Sequence, residues 1–374
     1  MSSILDYDFY AYPNICSGLK ALDTIPRELL SFQASNPLIL KYQKDPSRLE
    51  RQLKAACCTS QIVLGPICRI PENLSKDDIS TIVDTMKESS VDSIIAMGSG
   101  TIQSVAKLVN SLYCCDFALE EIESLPCDSF TPLPHIAVLD ERIDGREATN
   151  RLLLDEYRLH HDSLYPEYIV IDERMMASGR DKESAASAII SLTQTCEAYR
   201  DYLLTPVIAS WTKSSLHFLG EYQSMSTKQA KIALINAAVA TQIAHSNIPP
   251  GPVTTISEML AISGFCSEAQ AMATLLPHFL SQLTFDKGSP LDESFDEIAM
   301  ICSDVPWNDI QQMISELLKN YERYIHCSKT SGIITSLIRQ THRLMQHSNN
   351  TEIHTLITDL VSHTTSQTVM GGEL

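Results

Sequence analysis

Between the apolar run Ile94-Ile95-Ala96-Met97 and a helical pattern that begins at Thr101 stands the tetrapeptide Gly98-Ser99-Gly100-Thr101. Glycines let a backbone approach an anion with no Cβ in the way. The first turn of a helix adds unpaired N–H groups at the positive end of its dipole. A strand, this turn and a helix make the kind of loop that cradles a phosphate, so Gly98, Ser99, Gly100 and Thr101 are the candidate cofactor-binding residues. The same residues would equally serve a strand–helix turn that holds nothing. The third glycine of the Gly-x-Gly-x-x-Gly dinucleotide fingerprint is absent.

The remaining reactive residues assign no catalytic group by spacing alone. The 11 histidines include no His-x-x-x-His pair. The adjacent His160-His161 reads as a solvated loop. His245, just before Pro249-Pro250-Gly251-Pro252, reads as a helix-end histidine or a proton donor. Glu258 and Glu268 would form an acid/base pair if both their helices faced a cleft, and solvated helix residues otherwise. The 11 cysteines are scattered, with adjacent pairs at Cys57-Cys58 and Cys114-Cys115 and no Cys-x-x-Cys. That pattern argues against zinc ribbons, iron–sulfur clusters and thioredoxin chemistry, and for reduced thiols that mostly act as small buried hydrophobes. No Gly-x-Ser-x-Gly elbow, Walker loop or kinase set occurs.

The elements that must position these residues follow from hydrophobic patterning. Residues 37–42, 60–64, 92–97, 134–139 and 168–172 read as strands, and 46–56 as a helix. Ser75 reads as an N-cap, with Asp77 and Asp78 in the first turn ahead of Ile79, Ile82, Val83 and Met86 at helical spacing. Strands separated by helices of this length indicate parallel βαβ units. After Glu183 only helical patterns follow, ending with an apolar stripe at Ile310, Met313, Ile314, Leu317 and Leu318 that suits a core or a subunit interface. The reading is an α/β domain with a parallel Rossmann-like sheet over residues 1–175, followed by an all-α domain over 176–374. With 28 basic against 46 acidic side chains the net charge is −18. Such a chain repels nucleic-acid phosphates and anionic membranes. It has no apolar run of the ~20 residues that cross a bilayer, and the first residues lack the pattern of a secretion signal, so a cytoplasmic protein is expected.

The 94–107 segment resembles the Gly-Gly-Gly-Ser-x-x-Asp-Thr-Ala-Lys motif of iron-containing alcohol dehydrogenases and the Gly-Ser-Gly-Thr-Ile turn of glycerol-1-phosphate dehydrogenases. Both families belong to the dehydroquinate synthase-like superfamily. Further landmarks follow in order: Ile15-Cys16-Ser17-Gly18 resembles the first strand and turn. Pro166-Glu167-Tyr168-Ile169-Val170-Ile171-Asp172 resembles the family's Pro-Asp-x-x-x-x-Asp strand, Glu197-Ala198-Tyr199 its Glu-Ala-Tyr helix, and residues 271–277 the helix after its last metal ligand. The resemblance implies an NAD or NADP cofactor, a small alcohol or carbonyl substrate and, as is common in the superfamily, a homodimer. Gln43-Lys44, in place of the acid that commonly selects NAD, points to NADP.

The family's metal ligands map onto Ile190, Gln194, Thr254 and Glu268, and its catalytic histidine onto Glu258. Isoleucine cannot donate to a metal and glutamine is a poor ligand, so no metal is expected. The family's neutral Pro-Thr-Thr-Ala-Gly-Thr-Gly-Ser-Glu loop reads here Leu139-Asp140-Glu141-Arg142-Ile143-Asp144-Gly145-Arg146-Glu147. Its acids would repel a diphosphate, and Arg142 or Arg146 would clamp an anionic substrate. Two readings follow. One is a metal-independent oxidoreductase, as maleylacetate reductases of this fold are, with Arg142, Arg146 or a protonated His245 polarising the substrate carbonyl; the turn and Lys107 favour it. The other is a non-catalytic relative that binds or regulates, favoured by the charged loop and the missing ligands.

Overall fold

The computed structural model describes residues 7–283 except 59–61, 116–118, 120–130, 155–156, 177–181, 201–204, 226–227 and 263–266. The stripe at Ile310, Met313, Ile314, Leu317 and Leu318 lies outside the described residues. Six strands form one parallel sheet: β1 (Asn14–Ser17), β2 (Pro37–Tyr42), β3 (Ile67–Ile70), β4 (Ser93–Met97), β5 (His135–Leu139) and β8 (Tyr168–Ile171), in the spatial order β3-β2-β4-β5-β8-β1. In β2 and β4 alternate residues enter opposite cores. Ile39, Ile95, Met97 and Val138 meet α1 (Ile25–Ser31) and α2 (Ser47–Cys57); Leu38, Leu40, Ile94 and Ala96 meet α3 (Lys76–Ser89) and α4 (Thr101–Cys115). Both faces are covered, which is why the central strands are apolar throughout. The expected cap of α3 is present as a capping box between Ser75 and Asp78. The chain runs from β2 outward to β3, then back across β2 to β4 and β5, so the order reverses between β2 and β4. In open parallel sheets ligands bind at such a reversal, beyond the carboxyl ends of the strands.

The structure corrects three local expectations and adds one element. The run expected as a strand at 60–64 is not one where it is described: Val63 is exposed and Ile62–Leu64 is irregular. Gly65 and Pro66 intervene first. A Cβ on Gly65 would stand 2.6 Å from the Pro37 carbonyl, and the strand begins only past Pro66, whose carbonyl accepts from Ile39 N at 2.9 Å. An antiparallel hairpin that no local pattern announces is formed by β6 (Arg151–Leu154) and β7 (Tyr157–His160). His160 therefore ends a strand, and His161 caps the short 3-10 turn Asp162–Leu164. Among the described cysteines only Cys57 and Cys196 are buried; Cys16, Cys68, Cys114 and Cys115 are half-buried and Cys58 is exposed.

Past β8 the described chain is helical: α5 (Lys182–Arg200), α6 (Pro206–Ser224), α7 (Lys228–His245), α8 (Pro252–Ile262) and α9 (Glu268–Leu283). Helices α5, α6 and α7 are joined by a buried hydroxyl triad, Thr195, Ser215 and Thr241, at 2.6–2.9 Å. Ile235, Ala238 and Val239 of α7 pack into the core on the α1/α2 face, which ties the helical part to the sheet. Among the described residues no helix is long and apolar enough to cross a membrane.

Candidate active site

The Gly-Ser-Gly turn lies at the carboxyl end of β4, beside the order reversal. Gly98 has φ +127° and Gly100 φ +64°, which L side chains rarely adopt. The space the glycines leave is taken by the protein itself. A Cβ on Gly100 would be 2.9 Å from the Arg142 carbonyl; one on Gly98 would be 3.2 Å from the Arg142 guanidinium and the Tyr42 ring. The amides that would greet a phosphate are also engaged: Ser99 N donates to Asp140 Oδ1 (3.2 Å) and Gly100 N to Glu147 Oε1 (2.9 Å). Ser99 Oγ donates to the Asp140 carbonyl at 2.8 Å and accepts from Asp140 N at 2.9 Å. Thr101 opens α4 half-buried, near the Tyr42 hydroxyl. The four expected cofactor residues thus come together as one turn, and two side chains from the 140–147 loop hold it.

That loop is inward-facing and ion-paired. Arg142 lies over the Tyr42 ring, 4.1 Å from its centroid, and bonds Asp140 and both oxygens of Asp45 (3.1 Å each). Burial opposes its charge, but Asp140 and Asp45 outweigh that and raise its pKa. Glu147 accepts from the amides of Gly100, Asp144, Gly145 and Arg146 and from Gln242 Nε2 (2.7 Å); burial pushes its carboxyl up to about 7. Lys107 is a fastener: its Nζ donates to the carbonyls of Arg146 (2.6 Å), Thr149 (2.7 Å) and Arg151 (3.0 Å). Alongside, a cavity of about 520 Å³ opens past β2 and β3, lined by Tyr42, Lys44, Ile70, Glu72 and Arg142 among others.

The mapped metal positions do not converge as donors. Ile190 is buried, the Gln194 amide lies so close to Gly145 that a Cβ there would be 2.6 Å from it, and the Thr254 hydroxyl is bonded to Glu197. Among the described residues no three His, Cys, Asp or Glu side chains form a metal-binding group. The residues do not fit a divalent ion. Glu258 and Glu268, expected as solvated or as an acid/base pair, are instead partners of arginines, Glu258 buried and Glu268 half-buried. Glu268 and Glu258 (3.5 Å) both meet Arg146 NH2, and Glu258 takes Arg151 at 2.9 and 3.0 Å. Arg142 and Arg146 are therefore committed to internal acids and do not stand free to clamp an anion. His245 is buried, its Nε2–H donates to the Gln194 carbonyl, and burial pulls its pKa down to about 4, so it is neutral at neutral pH and is not a cationic polariser.

The sequence alone gave no signal for Tyr42, Asp45, Arg151 or Gln242, which act through contacts distant along the chain. Glu197 caps α8 by accepting from Val253 N and from Thr254, and Gly251 leaves room for its carboxyl group, which a Cβ would approach to 2.3 Å.

Residues 13–173 match the family described as iron-containing alcohol dehydrogenase. Among relatives, "Probable alcohol dehydrogenase EutG" of Escherichia coli (strain K12) is 28% identical over 152 residues, 38% of each chain. The match thus spans under two-fifths of that relative's length. The sulfoacetaldehyde reductase of Bifidobacterium kashiwanohense, solved in complex with NAD+, superposes with a TM-score of 0.78 at 15% identity, covering 96% of this chain and 98% of its own. The iron-containing alcohol dehydrogenase of Thermococcus thioreducens gives 0.76 at 17% identity, covering 94% and 99%. The chain thus shares the fold of these enzymes, and its N-terminal residues 13–173 are similar in sequence to the iron-containing alcohol dehydrogenase family.

Proposed function

We propose that this chain is a metal-independent NAD(P)-linked oxidoreductase that acts on a small alcohol or carbonyl compound. The observation that carries the reading is the crevice at the sheet's order reversal, where the 520 Å³ cavity, the Tyr42 ring and the Gly98–Gly100 turn adjoin. The crevice fits a base and ribose, with Ile70 supplying apolar wall; Lys44 at its rim is paired with Glu72 and would meet a 2′-phosphate only by leaving that acid. A diphosphate fits only where Asp140 yields the Ser99 amide. A bound nicotinamide would supply or accept the hydride. The substrate is expected to be uncharged, because the nearby cations are already paired.

The engaged amides of Ser99 and Gly100 favour a second reading, a non-catalytic relative that binds or regulates. Titration with NADH and NADPH, followed by nicotinamide fluorescence, separates the two. Saturable binding of either supports the oxidoreductase; no binding of either by millimolar concentration overturns it.

A further inference from the structure

Arg146 stands where acids from three elements meet: Asp144 of its own loop, Glu258 of α8 and Glu268 at the start of α9. Its side chain is only 6% exposed. Burial opposes the guanidinium charge, but Glu268, Asp144 and Glu258 outweigh that and hold it protonated. The same spot receives the Gln194 amide against Gly145, one residue before Arg146. Thus two of the positions that map onto metal ligands, Gln194 and Glu268, and the one that maps onto the catalytic histidine, Glu258, meet the 144–147 loop, and a cation already sits among them. Lys107 fixes it there by gripping the backbone carbonyls of both Arg146 and Arg151.

We infer that the Arg146 guanidinium is the resident cation of this fold's metal position, tying Glu258 and Glu268 of the helical part to the 140–147 loop in place of a divalent ion. A guanidinium suits the role: it stays charged at any ordinary pH, offers a planar set of donors and is weakly hydrated. Buried carboxylates need such a partner, since an unpaired charge in this setting is strongly destabilising, whereas removing both partners together is tolerated. The inference rests on the ion cluster and the fold, and stands whether or not the protein binds a nucleotide.

The test is thermal unfolding of the full-length protein. The wild type should melt at the same temperature with and without EDTA or added zinc. Arg146→Met should lower the melting temperature by roughly 10 °C. Adding Glu258→Gln and Glu268→Gln to Arg146→Met should recover most of that loss. If Arg146→Met alone does not fold, a folded triple variant carries the same meaning. A wild type that melts earlier in EDTA, or that is purified with about one equivalent of zinc or iron, overturns the inference. Glutamine substitutions that deepen the loss in the Arg146→Met background overturn it too.

Discussion

Asp140→Asn isolates the competition between the loop and a nucleotide. The Asp140 side chain is 4% exposed and its Oδ1 takes the Ser99 amide that a diphosphate oxygen would take. An anion bound at that turn would lie about 4 Å from the carboxylate. Two like charges at that separation repel by ~1 kcal/mol in water and ~4 kcal/mol at an effective dielectric of about 20. Arg142, bonded to the same carboxylate, offsets part of this. A net gain of about 1–2 kcal/mol on neutralising Asp140 is expected, or roughly 5- to 30-fold in Kd. Asparagine keeps the shape of the side chain, and Arg142 retains Asp45, so the fold should survive. The assay is the NADH and NADPH fluorescence titration at two salt concentrations, with far-ultraviolet circular dichroism as a check on folding. A folded Asp140→Asn protein whose Kd changes less than about twofold would refute the argument, because the carboxylate would then not be facing the bound anion.

Gly100→Ala should destabilise the protein by about 1–3 kcal/mol in denaturant unfolding, because φ is +64° and the new Cβ would meet the Arg142 carbonyl at 2.9 Å. Any nucleotide affinity should fall with it, and unchanged affinity in folded protein would make the turn purely structural. Lys107→Met should cost about 3 kcal/mol or more, since three backbone carbonyls lose their donor; a loss below about 1 kcal/mol would show that the loop holds itself. Burial pushes Glu197 from its ordinary 4.5 up to about 7, so the folded protein keeps this proton where the unfolded chain has lost it. The contribution is fully present below pH 4.5 and is lost as pH rises to 7, by about 3 kcal/mol at most. Glu197→Gln should therefore flatten the fall of stability between those pH values, and parallel wild-type and variant curves would contradict this.

Local pattern made much of the sheet legible. The apolar runs at β2, β4, β5 and β8 and the Ser75 cap are decided by residues within a few positions of one another. The edge strand β3 was not legible, because Ile67-Cys68-Arg69-Ile70 is weaker in apolar content than the irregular 62–64 stretch, and Gly65-Pro66 settles the start through contacts to residues 36 and 37. At the candidate site, the charges of the 140–147 loop were visible but not their direction. A charged loop reads as solvated unless its partners are known, and those partners lie far along the chain: Asp45 is 97 residues from Arg142 and Glu268 is 122 from Arg146. Neutralisation across such distances has no local signature, so Glu258 and Glu268 look like surface residues until the helices are placed.

The Lys107 clasp bears on how such a loop can change. Its three bonds go to main-chain oxygens, which every residue type supplies, and none goes to a side chain of the loop. The course of the chain from Arg146 to Arg151 is therefore held without reference to the amino acids along it. Side chains there can be exchanged, from small and neutral to large and charged, while the anchor points stay fixed. A scaffold fastened in this way lets the chemistry of its central loop drift without having to redesign the loop's path, and the acids and arginines gathered there are a composition that such an anchorage permits.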